Sequence, residues 1–293
     1  MEIIRDIDNL KLHNTIVTLG KFDGYHRGHR MLLDTAAKLK KDLNAAAVIF
    51  TFDVNPLTVI NDDSCRTIIS RNERSGAVYP DSIDYVVEFP FNKETMGMEP
   101  ETFVKDILVD RLGVSVVVVG EDFRFGRGRS GSVETLKALG DKYAFTVKAL
   151  NKLTYKSSDD GVEREISSSF IKDEILAGHM ETVTDMLGKP FSVNSPVIHG
   201  KRLGRTIGFP TINQMVPEDK ILPPDGVYAT GTLIDGREYM SITNVGKRPT
   251  FKDGEHRTIE TNIFDFDGDI YGRTLQVNFY KFIRPERRFL YSH

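Results

Sequence analysis

The segment Val114–Gly120, VSVVVVG, constrains this chain more than any other. A run so continuously apolar has no solvent face, so it fits a strand covered on both sides. Thr15–Gly20 (TIVTLG), Ala45–Phe52 (AAAVIFTF) and Ile83–Phe89 share its texture. Helical periodicity occupies Gly28–Lys41 and Glu101–Leu112 between them. Buried strands alternating with helices predict a parallel sheet with helices on both faces, the α/β doubly wound class.

Asn151–Ser167 is polar and strand-compatible around Asp159-Asp160-Gly161, which predicts a hairpin. Ser169–Gly188 predicts two short helices broken at Gly178. Beyond Gly188 the pattern changes. Phe191–His199, Gly226–Leu233, Arg237–Asn244, Thr258–Phe264 and Thr274–Ile283 are short alternating segments separated by Gly, Pro and Asp turns. That is the pattern of an all-β module, a small barrel. The expected organisation is α/β over residues 1–187, then all-β over residues 188–293. Charge divides the same way: residues 1–188 carry 24 basic against 30 acidic side chains, and residues 189–293 carry 15 against 12.

Composition excludes several classes. Net charge is −3, so no broad nucleic-acid surface is expected. No apolar run approaches the roughly 20 residues that cross a bilayer. Met1–Leu10 lacks the basic and apolar regions of a secretory leader. Cys65 is the single cysteine, which excludes an intrachain disulfide and a cysteine-based zinc site. A cytoplasmic location is the expectation. The expected partners are small-molecule substrates, with neither nucleic acid nor membrane, and oligomeric state is left open.

Four segments carry chemistry. Gly20-Lys21-Phe22-Asp23-Gly24-Tyr25-His26-Arg27-Gly28-His29 follows the first strand and opens the first helix, where doubly wound sheets bind nucleotides. Amide N–H groups and the helix dipole favour an anion there. His26 and His29, three apart, can face one phosphate, and Gly28 permits close approach. Two surface histidines beside a turn is the plainer alternative. Gly120–Gly131 follows the fourth strand at the same sheet edge and mixes Phe123 and Phe125 with Arg124, Arg127 and Arg129. Such a loop suits stacking on a ring beside a phosphate, or is simply solvated. Ser167, Ser168 and Ser169 precede a helix and either cap it or bind phosphate with Lys172. Gly200–Asn213 is dense in Gly and Arg, as a flap over phosphates would be, and Thr211 and Asn213 offer oxygens of the kind Mg²⁺ prefers.

Taken together, these motifs resemble the prokaryotic bifunctional riboflavin kinase/FAD synthetase family from about Val17 to Phe289. The resemblance also rests on Pro224–Tyr228, Asn244–Phe251 and Glu260–Gly272. It implies a Rossmann-like nucleotidyltransferase domain that adenylylates FMN, followed by a β-barrel riboflavin kinase domain. Substrates would be ATP, riboflavin and FMN, with Mg²⁺. In the first half it implies that His26 and His29 stabilise charge on the transferring phosphates. Gly20, Phe22, Asp23, Gly24, Gly28, Arg129, Ser167, Ser168, Ser169 and Lys172 would contact nucleotide or phosphate, and Asn55, Asp122 and Phe123 the flavin. In the second half it implies that Gly200, Arg202, Gly204, Arg205 and Gly208 hold the ATP phosphates, that Thr211 and Asn213 bind Mg²⁺, and that Glu260 takes the proton from the riboflavin 5′-hydroxyl.

The chain departs from the family at three places. Val54 and Asn55 stand where a proline and a histidine are usual, and Phe170 where an arginine follows the serines. After Phe289 only Leu290–His293 remain where the family continues into a helix, so that helix is expected to be missing. Two other readings therefore stay open: a riboflavin kinase with a weak or altered adenylyltransferase half, and a flavin-binding protein without turnover.

Overall fold

The computed structural model describes residues 1–54, 66–75, 82–157, 161–198, 211–249 and 255–286. It contains two units. The first comprises Met1–Cys65 and Gly76–Ile166, the second Arg66–Ser75 and Ser167–His293.

In the first unit, β1 (Glu2–Ile4), β2 (Thr15–Leu19), β3 (Ala46–Phe52), β4 (Tyr85–Phe89), β5 (Val114–Gly120) and β6 (Thr146–Leu150) form one parallel sheet in the order β1-β4-β3-β2-β5-β6. The four apolar runs are the central strands. Alternation sends Ile16, Ala47, Ile49, Val86, Val116 and Val118 to one face, against Leu32, Leu33 and Ala36 of helix α1 (Arg27–Leu43). Val17, Val48, Phe50, Val87, Val117 and Val119 go to the other, against Val104, Ile107, Leu108 and Leu136. Burying such side chains contributes about 1.5–3 kcal/mol each, which is why runs without a polar face end up here. Leu136 lies on helix α2 (Val133–Tyr143). The hairpin forms from β7 (Thr154–Lys156) and β8 (Glu163–Glu165), while Asp159 and Asp160 of its expected turn lie outside the described residues.

In the second unit, helices α3 (Ser168–Ala177) and α4 (Met180–Leu187) are separated by Gly178, which takes the left-handed conformation at φ 83°. A closed antiparallel barrel follows from β9 (Phe191–Ile198), β10 (Thr211–Met215), β11 (Gly226–Ile234), β12 (Arg237–Pro249), β13 (Glu255–Ile263) and β14 (Thr274–Pro285). Its strand order is β10-β13-β12-β11-β14-β9. Closure leaves no sheet edge. The buried residues include Phe191, Tyr228 and Phe279 and a chain of hydroxyls. Thr230 bonds Ser241 (2.9 Å) and Thr243 (2.8 Å), and Thr243 bonds Thr261 (2.9 Å).

The segment 66–75 lies between β3 and β4 in the chain but belongs to the barrel unit. Thr67 pairs with Lys220 in a parallel bridge. The Thr67 amide donates to the Asp219 carbonyl (2.6 Å), and the Ile221 amide to the Thr67 carbonyl (2.9 Å). The Lys220 ammonium, 2% exposed, donates to the Glu73 carboxylate (2.7 Å) and the Ile68 carbonyl (2.7 Å). Glu73, 9% exposed, also accepts from the amides of Ser70 and Asn194, each at 2.8 Å. Both carboxylate oxygens accept hydrogen bonds and the ammonium makes two, which is what makes a buried ion pair tolerable. Nothing in the local sequence marks the segment as belonging to the barrel.

Candidate functional site

The first site begins where β2 ends. Between the strand and α1 the chain turns through three left-handed residues, Phe22 (φ 49°), Gly24 (φ 90°) and Tyr25 (φ 47°). Two of these are aromatic, for which that conformation is costly, and such strain concentrates at functional sites. The turn buries Asp23 and His26 (each 5% exposed) at the start of α1. His26 is the N-cap: its Nδ1 accepts from the His29 amide at 3.3 Å. That bond fixes the tautomer and leaves the proton on Nε2 as a donor. The two imidazoles stack with centroids 3.7 Å apart and planes 20° apart. Phe22 lies 5.1 Å from the His29 ring. The His29 Nδ1 is buried with no hydrogen-bond partner among the described residues. A Cβ on Gly28 would sit 3.2 Å from the His26 ring and 3.8 Å from the Ile166 carbonyl oxygen. The glycine is thus the space into which the His26 ring fits.

Burial pushes His26 down to about 4; Asp23 partly offsets this and Arg30 adds to it. His29 is held well below the ordinary imidazole range by burial and then by His26. Both rings are neutral at pH 7, ready to donate hydrogen bonds. The unfolded chain, in contrast, takes up protons near pH 6.5. The stability these buried neutral rings confer is therefore complete above that value and is lost as pH falls towards 4. His26 alone accounts for about 3 kcal/mol over this window. Urea unfolding of the first unit at pH 7.5 and pH 5 should show the loss, and His26→Asn, with no ring to protonate, should show less of it. Equal pH sensitivity in the variant would assign the effect to other groups.

The Gly120–Gly131 segment is folded back on the sheet. Phe125 and Gly131 exchange backbone hydrogen bonds of 3.1 and 2.9 Å. A Cβ on Gly131 would meet the Phe125 ring at 2.7 Å. Phe125 is buried in the core, so the expectation that the loop's aromatic rings serve a ligand is corrected for this residue. Phe123 is half-buried and stacks on Phe125 at 5.8 Å. Arg127 pairs with Glu99 at 3.3 Å, Arg129 is exposed, and Asp122 pairs with Lys152 at 2.9 Å. Ser167 caps α3, its hydroxyl accepting from the Phe170 amide at 3.2 Å. Ser168, Ser169 and Lys172 lie on the first turns of that helix. Asn55 lies outside the described residues.

The second site is on the barrel. Gly200, Arg202, Gly204, Arg205 and Gly208 lie outside the described residues. Thr211 and Asn213, expected on the flap, instead belong to β10. The reason is Gln214. It is fully buried, and its amide donates to the Ser195 (2.7 Å) and Leu275 (2.8 Å) carbonyls, so a polar residue fills an inward position of the strand. With Ile212 and Gln214 inward, alternation puts Thr211 and Asn213 on the opposite face of the strand, where Thr211 is half-buried and Asn213 is buried at 4% exposed. Thr261 points inward to Thr243, which turns Glu260 outward. The register then aligns Asn213 with Glu260, and Glu260 with Asn244, across three adjacent strands. Sequence reasoning placed Asn244 only near the site; strand pairing puts it beside Glu260. The Asn244 amide also lies 3.4 Å from the Glu286 carboxylate.

Both halves of the chain have matches among known proteins. The FAD synthetase family model matches residues 8–169, and the riboflavin kinase family model residues 187–292. The chain belongs to the bifunctional riboflavin kinase/FMN adenylyltransferase family. The proteins of that name from Buchnera aphidicola subsp. Schizaphis graminum and Escherichia coli K12 are 33% and 34% identical to it. The alignments cover 98% and 99% of this chain and 91% of each relative. The Bacillus subtilis protein is 33% identical over 94% of this chain and 86% of its own length. A crystal structure described as a macrolide-efflux protein from Streptococcus pneumoniae is 28% identical. It superposes with a TM-score of 0.85 over 98% of this chain and 92% of that one. No helix among the described residues of this family member is long and apolar enough to cross a membrane.

Proposed function

We propose that this protein phosphorylates riboflavin with ATP to give FMN and then adenylylates FMN to FAD with release of pyrophosphate. The observation that carries the reading is the coexistence of two separate polar sites, one in each family-matched half of the chain. Residues 1–187 are assigned the adenylyltransferase activity and residues 188–293 the kinase activity. The substrates are small molecules, and nothing in the reading requires nucleic acid or a membrane.

In the first half, transfer needs the FMN phosphate in line with the α-phosphorus of ATP and the charge on the phosphates held as the bond shifts. His26 offers Nε2–H from a position fixed by its own capping bond. His29 is locked against it, and the amides opening α1 add to the positive end of the helix. Asp23 holds the turn, while Gly20, Phe22, Gly24 and Gly28 shape it around the nucleotide. Ser167, Ser168, Ser169, Lys172 and Arg129 serve the phosphates, and Asn55, Asp122 and Phe123 the flavin. In the second half, Glu260 accepts the proton from the riboflavin 5′-hydroxyl as that oxygen attacks the γ-phosphorus of ATP and the bond to the bridging oxygen breaks, releasing ADP; Asn244 orients the Glu260 carboxylate. The glycines and arginines of 200–208 hold the phosphates.

Thr211 and Asn213, on one strand face beside a carboxylate, present hard oxygen donors that fit Mg²⁺. They would hold a Mg²⁺ ion whose contribution is neutralisation of charge on the ATP phosphates.

The test is product analysis. Incubation with riboflavin, ATP and Mg²⁺ is expected to yield FMN and FAD, and a parallel reaction started from FMN is expected to yield FAD. FMN without FAD in the first, and no FAD in the second, would mean that the adenylyltransferase half is impaired. Absence of any product in both would overturn the reading in favour of a flavin-binding role.

A further inference from the structure

We propose that Lys152 is a positioning residue for FMN adenylylation, holding the flavin-side loop and the strand that leads into the serine motif in one fixed arrangement. The proposal rests on the assignment of Asp122 to the flavin site made above. Lys152 lies in the short connection between β6 and β7. Its ammonium faces two carboxylates from different segments, Asp122 Oδ2 at 2.9 Å and Glu165 Oε2 at 2.5 Å. Its amide donates to Glu121 Oε1 at 3.1 Å. The residue thus holds both acidic positions at the start of the Gly120–Gly131 segment, one through its backbone and one through its side chain.

The other side of the arrangement is equally direct. Glu165 ends β8, and the next residue, Ile166, donates its amide to the Leu153 carbonyl at 2.8 Å. The Ile166 carbonyl oxygen lies 3.8 Å from where a Cβ on Gly28 would stand, in the turn that carries the two histidines. Ion pairs therefore join Asp122, Lys152 and Glu165, and the chain passes directly from Glu165 into Ile166, whose carbonyl neighbours Gly28 of the histidine turn. A single exposed ion pair has little effect on stability. Here one cation, more buried than either partner, separates two carboxylates that would otherwise repel each other. Its removal leaves Asp122 unanchored and adds uncompensated negative charge where an anionic flavin phosphate and a triphosphate must meet. The effect falls on binding geometry more than on folding.

The experiment uses the full-length protein, with FMN varied at saturating ATP and riboflavin phosphorylation measured on the same preparations. Lys152→Met is expected to raise the KM for FMN by about tenfold with kcat within about twofold. Lys152→Arg, which keeps a cation between the carboxylates, should bring KM back to within about threefold of wild type. Glu165→Gln, which cuts the far anchor only, should raise KM in the same direction. Riboflavin phosphorylation should be unchanged in all three. An unaltered KM in Lys152→Met overturns the proposal. So does a Lys152→Arg variant as impaired as Lys152→Met, or a loss of both activities together with a lower unfolding temperature. A wild-type protein that makes no FAD from FMN overturns the adenylyltransferase reading, and this proposal with it. FAD from wild type with no change in Lys152→Met overturns the Lys152 assignment alone.

Discussion

His26→Ala and Glu260→Gln are expected to fail in opposite halves of the same reaction sequence. His26→Ala removes the Nε2–H donor and also the side chain that caps α1 and packs against Gly28. Loss of one fixed donor at a transferring phosphate typically lowers the rate by about 10²–10³-fold. FAD formation from FMN should fall by that factor while FMN formation from riboflavin proceeds at the wild-type rate. Glu260→Gln keeps the shape of the side chain and its place in the row with Asn213 and Asn244 but cannot take a proton. Losing a general base costs about 10²–10⁴-fold, so riboflavin phosphorylation should nearly stop while adenylylation of supplied FMN continues. Chromatographic assay of riboflavin, FMN and FAD separates the two. Parallel loss of both activities in either variant would be incompatible with two independent sites.

Lys220→Met should destabilise the barrel unit by about 3–5 kcal/mol, because it leaves the Glu73 carboxylate buried without its cation. The contact of the Lys220 ammonium with the Phe191 ring, 4.7 Å to the centroid, goes with it. Adding Glu73→Leu would not restore wild-type stability, because the Ser70 and Asn194 amides would then lose their shared acceptor. With two units, unfolding need not be a single transition, so the readout is the denaturant midpoint for loss of kinase activity. A fall of less than about 1 kcal/mol would show that the ion pair is as dispensable as an exposed one.

The central strands of the parallel sheet were legible because burial on both faces erases alternation, and VSVVVVG or AAAVIFTF has few other uses in a folded chain. The edge strands Glu2–Ile4 and Thr146–Leu150 were not, since a short, half-exposed strand carries almost no pattern of its own. Thr211–Met215 was hidden by Gln214, a polar residue at an inward position whose partners are carbonyls on two other strands, and no local signal encodes those partners. The histidine pair was visible as a motif, but the capping bond and the stacked rings were not. The sequence also marks Glu260 and Asn213 without marking their register. Lys152 and the 66–75 segment left no trace, because both act through residues distant in the chain, and only the folded structure reveals which carboxylate meets which cation.

The 66–75 excursion also bears on how the protein is made. Glu73 is synthesised 147 residues before Lys220. When the sheet strands on either side of it have already left the ribosome, the barrel that receives it has not yet been translated. Residues 66–75 therefore have no Lys220 to pair with until the last third of synthesis. Seating of residues 66–75 is timed by the C-terminal part of the chain, and early termination within the barrel would leave them without a place to dock.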